Sequence, residues 1–299
     1  MSKNKKTLFT GAATAIVTPF RDGKIDYKAF GSLMDFQIEG GIKTIVVAGT
    51  TGEASSLSYG ELEELLGFAV GYADGRASII AGCGCNNTER SIEVARIAQW
   101  YGCQGLLAVT PYYNRPTDVG ITKHYTALAD STELPLLLYN VPSRTGVNLS
   151  LETLDRLGEC ERIVGIKEAS DSLDRLVAIS GIKSLSLYSG NDSQIYPILS
   201  LGGLGVISVV SNLYPRETAD ICKYYFANDR DNSAKAQRTL LPVINALFLE
   251  TNPAPIKYAM SKRGLCAPDM RLPMWLPTKV TRDKIDRVIE EYERGKKTE

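Results

Sequence analysis

The stretch Ile163-Val164-Gly165-Ile166-Lys167-Glu168-Ala169-Ser170 decides how the chain is read. An apolar run, with no alternation of polar and apolar positions, ends abruptly in two adjacent opposite charges. Extended segments look like this when both faces are buried, as in a parallel sheet. Working outward, runs of the same kind recur at residues 13–18, 44–48, 78–81, 105–110, 134–139, 184–188 and 205–210, eight in all with 163–167. Between them lie stretches at helical spacing. Phe30, Leu33, Met34 and Ile38 fall on one stripe, as do Val94, Ile97, Ala98 and Tyr101. Ser58 and Glu61 form a capping box ahead of Leu62, Leu65, Leu66 and Ala69.

Eight strand–helix units, the last ending in a helix near 216–227, predict an α/β fold of the (β/α)8 TIM-barrel kind. An open doubly wound sheet is the alternative, since periodicity does not reveal closure. Residues 1–230 are read as the barrel and 231–299 as a C-terminal helical extension packed on it. Helices are expected there over 237–250, 255–263 and 282–293, the last with Ile285, Val288, Ile289 and Tyr292 on one face.

Composition narrows the chemistry. The 299 residues carry 34 basic and 34 acidic side chains, so charge gives no reason to expect nucleic acid or an anionic membrane as partner. No apolar run is long enough to span a bilayer. The single histidine, His124, excludes zinc sites built from several histidines of one chain, and is expected as a surface or helix residue without a role. Cys83, Cys85, Cys103, Cys160, Cys222 and Cys266 show no CxxC pairing and read as free, mostly buried thiols of a cytoplasmic protein. The basic ends, 1–7 and 294–297, read as short solvated tails. Gly82-Cys83-Gly84 lacks the third glycine of a dinucleotide fingerprint, and no P-loop pattern occurs.

In a parallel barrel the chemistry sits where the strands end. Lys167 stands at such an end. Alternation puts Gly165, Lys167 and Ala169 on one face and Ile166 on the other. If that face looks inward, the two small neighbours leave room around an amine whose partial desolvation favours the nucleophilic free base. The alternative is a structural lysine paired with Glu168 or Asp171, and position alone does not choose. Tyr139 is either a core aromatic or a phenol that relays protons. Arg144, in the Pro142-Ser143-Arg144-Thr145-Gly146 turn, is either solvated or a bidentate clamp for a carboxylate. Thr50 and Thr51, between glycines, form either a polar turn or an anion cradle.

Four motifs in order, Gly49-Thr50-Thr51-Gly52-Glu53, Thr110-Pro111-Tyr112-Tyr113-Asn114, Tyr139-Asn140-Val141-Pro142-Ser143-Arg144-Thr145-Gly146 and Gly165-Ile166-Lys167-Glu168-Ala169, carry a specific resemblance. They resemble those of the pyruvate-dependent class I aldolases, the family of dihydrodipicolinate synthases and N-acetylneuraminate lyases, from about Gly11 to the C-terminal helices. The resemblance implies that Lys167 forms an imine with pyruvate. Its enamine would attack L-aspartate 4-semialdehyde and give 4-hydroxy-tetrahydrodipicolinate, on the route to diaminopimelate and lysine. It further implies a proton relay of Tyr139, Thr50 and Tyr113, the last reaching in from a neighbouring subunit of a homo-oligomer, dimer or tetramer. Thr51 would bind the pyruvate carboxylate and Arg144 that of the semialdehyde, while Gly190 and Ile207 contribute backbone groups beside the imine. No metal or organic cofactor is implied.

Sialic acid lyases usually lack this arginine and carry a serine in the glycine–threonine motif. A related aldolase or lyase, acting on N-acetylneuraminate or a 2-keto-3-deoxy sugar acid, is the alternative, and a non-catalytic barrel a more distant one. Lysine-sensitive members often have histidine where Tyr59 stands and glutamate where Arg90 stands. A cation at Arg90 repels the ammonium groups of lysine, so feedback inhibition is expected to be weak or absent.

Overall fold

The computed structural model describes residues 7–296, so nearly all of the expected N-terminal tail lies outside the described residues, whereas 294–296 of the expected C-terminal tail are exposed but continue the last helix, Lys279–Lys296. The strands are β1 (Gly11–Ala15), β2 (Phe20–Arg21), β3 (Lys24–Ile25), β4 (Thr44–Val47), β5 (Ser78–Gly82), β6 (Gly105–Val109), β7 (Leu136–Asn140), β8 (Ile163–Glu168), β9 (Ser186–Ser189) and β10 (Gly205–Ser208). Eight of them close a parallel barrel in the order β1-β10-β9-β8-β7-β6-β5-β4, and β2 with β3 forms a separate hairpin. All eight expected runs are barrel strands, and the sheet is closed rather than open. The seam is made by Gly11 opposite Gly205. A Cβ on Gly205 would stand 1.8 Å from the Gly11 carbonyl oxygen, so closure there requires a residue without a side chain.

Two apolar clusters follow from the strand period of two. Outward-facing residues such as Ile45, Leu138 and Ile166 pack under the helices. Inward-facing Val46, Ile80, Leu137 and Ile207 fill the barrel with Phe9 and Tyr188. The Phe9 and Tyr188 rings stack at 4.3 Å, and the Tyr188 hydroxyl donates to the Phe9 carbonyl at 2.6 Å. The stripe predicted for the first intervening helix falls in Tyr27–Glu39, and that for the third in Thr88–Trp100 except for Tyr101, which caps its C-terminus. The Ser58 capping box is present at the head of Tyr59–Ala73.

The extension contains the three expected helices at Arg230–Leu247, Ala254–Lys262 and Lys279–Lys296. The first begins seven residues before the expected start at 237, capped by Asp229, because its opening turns are polar and show no apolar stripe. All six cysteines are free.

His124 is a helix residue, in Asp118–Asp130, but it is buried rather than on the surface. Its Nδ1 lies 2.9 Å from the Thr88 hydroxyl. Burial pulls its pKa down to about 4, so between the ordinary value near 6.5 and that value the unfolded chain binds a proton that the folded chain does not. Stability is therefore intact above the ordinary value and falls with pH through this window, by up to about 3 kcal/mol. Melting temperatures measured from about pH 7 to about pH 4.5 should fall more steeply for the natural protein than for His124→Gln. Parallel curves would contradict this account.

Candidate active site

The strand period sends Lys167 into the barrel mouth and Glu168 out of it. Lys167 is 5% exposed and lines a cavity of about 710 Å³ at the C-terminal ends of the strands, together with Thr50, Thr51, Tyr139, Arg144 and Gly190. Its Nζ sits 4.2 Å from the centroid of the Tyr139 ring, where the electron-rich face stabilises a cation. Among the described residues, no carboxylate forms an ion pair with this amine.

Glu168 is neutralised elsewhere. Its carboxylate accepts from Asn140 Nδ2 at 2.8 and 3.1 Å, from the Ser170 amide at 3.0 Å and from Arg175 Nε at 3.1 Å. The structural pairing of Lys167 with Glu168, open from the sequence, is thus absent. Asp192 is an acid on which the Lys167 charge acts. Burial raises the Asp192 pKa, while hydrogen bonds from Ser208 and from the Val209 and Val210 amides and the Lys167 charge oppose that rise.

The other predicted residues are placed differently from one another. Thr50 and Tyr139 share the cavity wall with Lys167, although no hydrogen bond among the described residues links their hydroxyls. Thr51 and Arg144 are joined through one residue that the sequence did not single out. Asn252 donates from Nδ2 to Thr51 Oγ1 at 2.9 Å, and its carbonyl accepts from Arg144 Nη2 at 3.0 Å. Gly190 lies in the wall, where a Cβ would come within 2.6 Å of the Ala169 Cβ, so the close approach of β9 to β8 admits no side chain. Ile207 is fully buried in the inner cluster on β10. Tyr113 stands apart from all of these at 89% exposure with φ of +70°, and its own chain does not bring it to the mouth.

A second cavity of about 320 Å³ shares Thr50, Tyr139 and Arg144 with the first. In it the Arg90 guanidinium lies over the Tyr59 ring at 4.8 Å, beside Cys85 and Tyr112.

The loop that carries Thr50 and Thr51 is held from below by a buried ion pair. Lys257 Nζ meets Glu53 Oε1 at 2.6 Å and donates to the Thr18 carbonyl at 2.8 Å, with both charged side chains almost fully buried. The Arg271 amide donates to the other Glu53 oxygen at 3.1 Å. Burial lowers the Lys257 pKa and the Glu53 charge opposes that shift. Neither Asn252 nor Lys257 was read as functional, because each acts on residues about 200 positions earlier. Their one local signal is the proline-flanked run Thr251-Asn252-Pro253-Ala254-Pro255, which holds a polar side chain in a restricted backbone.

A closed (β/α)8 barrel with an amine, hydroxyls and a guanidinium gathered at the C-terminal strand ends defines an enzyme of the barrel class. The comparisons with known proteins give its family. The profile of the dihydrodipicolinate synthetase family matches residues 8–292, and the chain belongs to that family. A 4-hydroxy-tetrahydrodipicolinate synthase from Clostridium novyi (strain NT) is 46% identical over 270 residues, 90% of this chain and 91% of the relative. The structure of the 4-hydroxy-tetrahydrodipicolinate synthase from Methylacidiphilum fumariolicum SolV superposes with a TM-score of 0.94 at 39% identity, covering 96% of each chain. A dihydrodipicolinate synthase from Acinetobacter baumannii, solved in complex with pyruvate, superposes with a TM-score of 0.93 at 38% identity, covering 95% of this chain and 99% of that one.

Removing one partner of the buried pair leaves the other charge without compensation. Lys257→Met should destabilise the fold by about 3–5 kcal/mol, and the double variant Glu53→Gln/Lys257→Met should recover much of that loss. Denaturant unfolding of the three proteins checks this. A Lys257→Met protein as stable as the natural one would contradict the inferred role of the pair.

Proposed function

We propose that this chain is a 4-hydroxy-tetrahydrodipicolinate synthase, condensing pyruvate with L-aspartate 4-semialdehyde through a Schiff base on Lys167. The observation that carries the reading is the buried Lys167 amine, free of any ion pair among the described residues and facing a cavity walled by hydroxyls and Arg144. Family membership and the name of the relative at 46% identity support the product, and the pyruvate complex of the Acinetobacter baumannii relative supports the first substrate.

The chemistry balances without an external oxidant or reductant. The Lys167 amine adds to C2 of pyruvate, and loss of water leaves the imine. Removal of a methyl proton gives an enamine, whose carbon attacks the aldehyde carbon of the semialdehyde. The proton released from the methyl group is returned to the new alkoxide. The amino group of the second substrate then closes on the imine carbon and expels Lys167 as the free amine. Tyr139 and Thr50 line the space where these proton transfers occur, and their hydroxyls are suited to that work. The Tyr139 face beside Nζ favours the cationic iminium forms. Thr51 receives the pyruvate carboxylate and Arg144 that of the semialdehyde, with Gly190 and Ile207 backbone groups near the imine.

Tyr113 completes the relay from a neighbouring copy, so the working protein is a homo-oligomer, dimer or tetramer. Its exposure in the single chain supports that reading. A cytoplasmic location fits six free thiols and soluble metabolites as substrates. Among the described residues, no helix is long and apolar enough to cross a membrane. Arg144 supports the synthase reading over sugar-acid lyases, since it suits a short second substrate carrying its own carboxylate.

Borohydride added with pyruvate should leave a reduced pyruvyl group on Lys167, detected by peptide mass spectrometry. Arg144→Ala should still be labelled yet lose turnover with aspartate semialdehyde by about a hundredfold or more. Absence of label from the natural protein would overturn the Schiff-base reading, and equal loss of labelling and turnover would overturn the role of Arg144.

Lysine inhibition is the second test. The Arg90 cation beside Tyr59 repels the ammonium groups of lysine, so millimolar L-lysine should leave turnover nearly unchanged. Strong inhibition would refute that expectation.

A further inference from the structure

We infer that the Asn252 side chain is a positioning residue for Thr51, aiming its hydroxyl at the pyruvate carboxylate from within the C-terminal extension. The inference rests on the carboxylate-binding role of Thr51 proposed above. Thr51 is 2% exposed and Asn252 5%, and the Nδ2–Oγ1 distance is 2.9 Å. A hydroxyl has one proton to give and lone pairs with which to accept. When the amide N–H occupies a lone pair, the Thr51 proton is left for another acceptor. A carboxylate, which only accepts, is the matching ligand.

The rest of the asparagine argues against a purely structural purpose. Its Oδ1 is buried and has no hydrogen-bond partner among the described residues. An unsatisfied buried acceptor is unfavourable, so an apolar side chain of similar size would suit the fold better at this place. What such a side chain could not do is donate to Thr51.

Side chain and main chain also have separable tasks. The amide serves Thr51, while the backbone carbonyl accepts from Arg144, and a side-chain substitution leaves that carbonyl in place. The two substrates therefore depend on Asn252 through different atoms. Loss of the side chain should affect pyruvate and spare the semialdehyde.

The test uses the full chain with Asn252→Leu, the isosteric Asn252→Asp, Thr51→Val and the double variant Asn252→Leu/Thr51→Val. Each is measured by steady-state kinetics with either substrate varied and by denaturant unfolding. Asn252→Leu should raise the pyruvate KM about tenfold, hold the semialdehyde KM within about twofold, and be no less stable than the natural protein. Asn252→Asp can only accept, so it takes the Thr51 proton for itself and should raise the pyruvate KM further. The double variant should be no worse for pyruvate than Thr51→Val alone, as expected for two residues acting as one unit.

A pyruvate defect in Thr51→Val that neither Asn252 variant shares would overturn this inference alone. Equal rises in both KM values, or additive losses in the double variant, would also overturn it. A Thr51→Val protein with unaltered pyruvate KM would overturn the carboxylate-binding role of Thr51, and the inference with it.

Discussion

The pleat of β8 keeps two opposite charges apart that the sequence places side by side. Lys167 and Glu168 are neighbours, yet a strand turns successive side chains to opposite faces. Glu168 goes outward to Arg175, Asn140 and the Ser170 amide, which satisfy it locally. Lys167 goes inward, where the ring of Tyr139 is its close contact. Had the two met, the amine would be engaged in an ion pair instead of facing the cavity. The surroundings of the amine depend on that separation, and the neighbouring strands fix the register on both sides: Tyr139 opposite Lys167 on β7, Tyr188 opposite it on β9.

Around this amine the structure spends stability on geometry. A buried ion pair such as Glu53–Lys257 is weak support for a fold, since desolvation offsets most of the attraction. What it supplies is a fixed loop between β4 and the first turns of Tyr59–Ala73, so that Thr50 and Thr51 face the cavity. The same short stretch of the extension, from Asn252 to Lys257, reaches Thr51, Arg144 and Glu53. The cavity wall is therefore assembled from barrel and extension together.

What could be read beforehand follows from the range of the interactions. Barrel strands and most helices are local patterns, and the apolar runs and capping box marked them. Lys167 was legible because an amine ending an apolar strand is unusual. Closure was not, because it depends on Gly11 meeting Gly205 across the whole sheet. Asn252 and Lys257 escaped notice for the same reason, since their partners lie about 200 residues away. The burial of His124 depends on the helix Thr88–Trp100 packing beside it, which periodicity within its own helix does not specify.

The central claim is that an isolated, inward-facing Lys167 carries the covalent step with the pyruvate carboxylate held by Thr51. A crystal structure of the protein soaked with pyruvate tests it most directly. Continuous density is expected from Lys167 Nζ to C2 of pyruvate, with the carboxylate within hydrogen-bond distance of the Thr51 hydroxyl. Pyruvate bound without a bond to Nζ, or with its carboxylate turned away from Thr51, would contradict it.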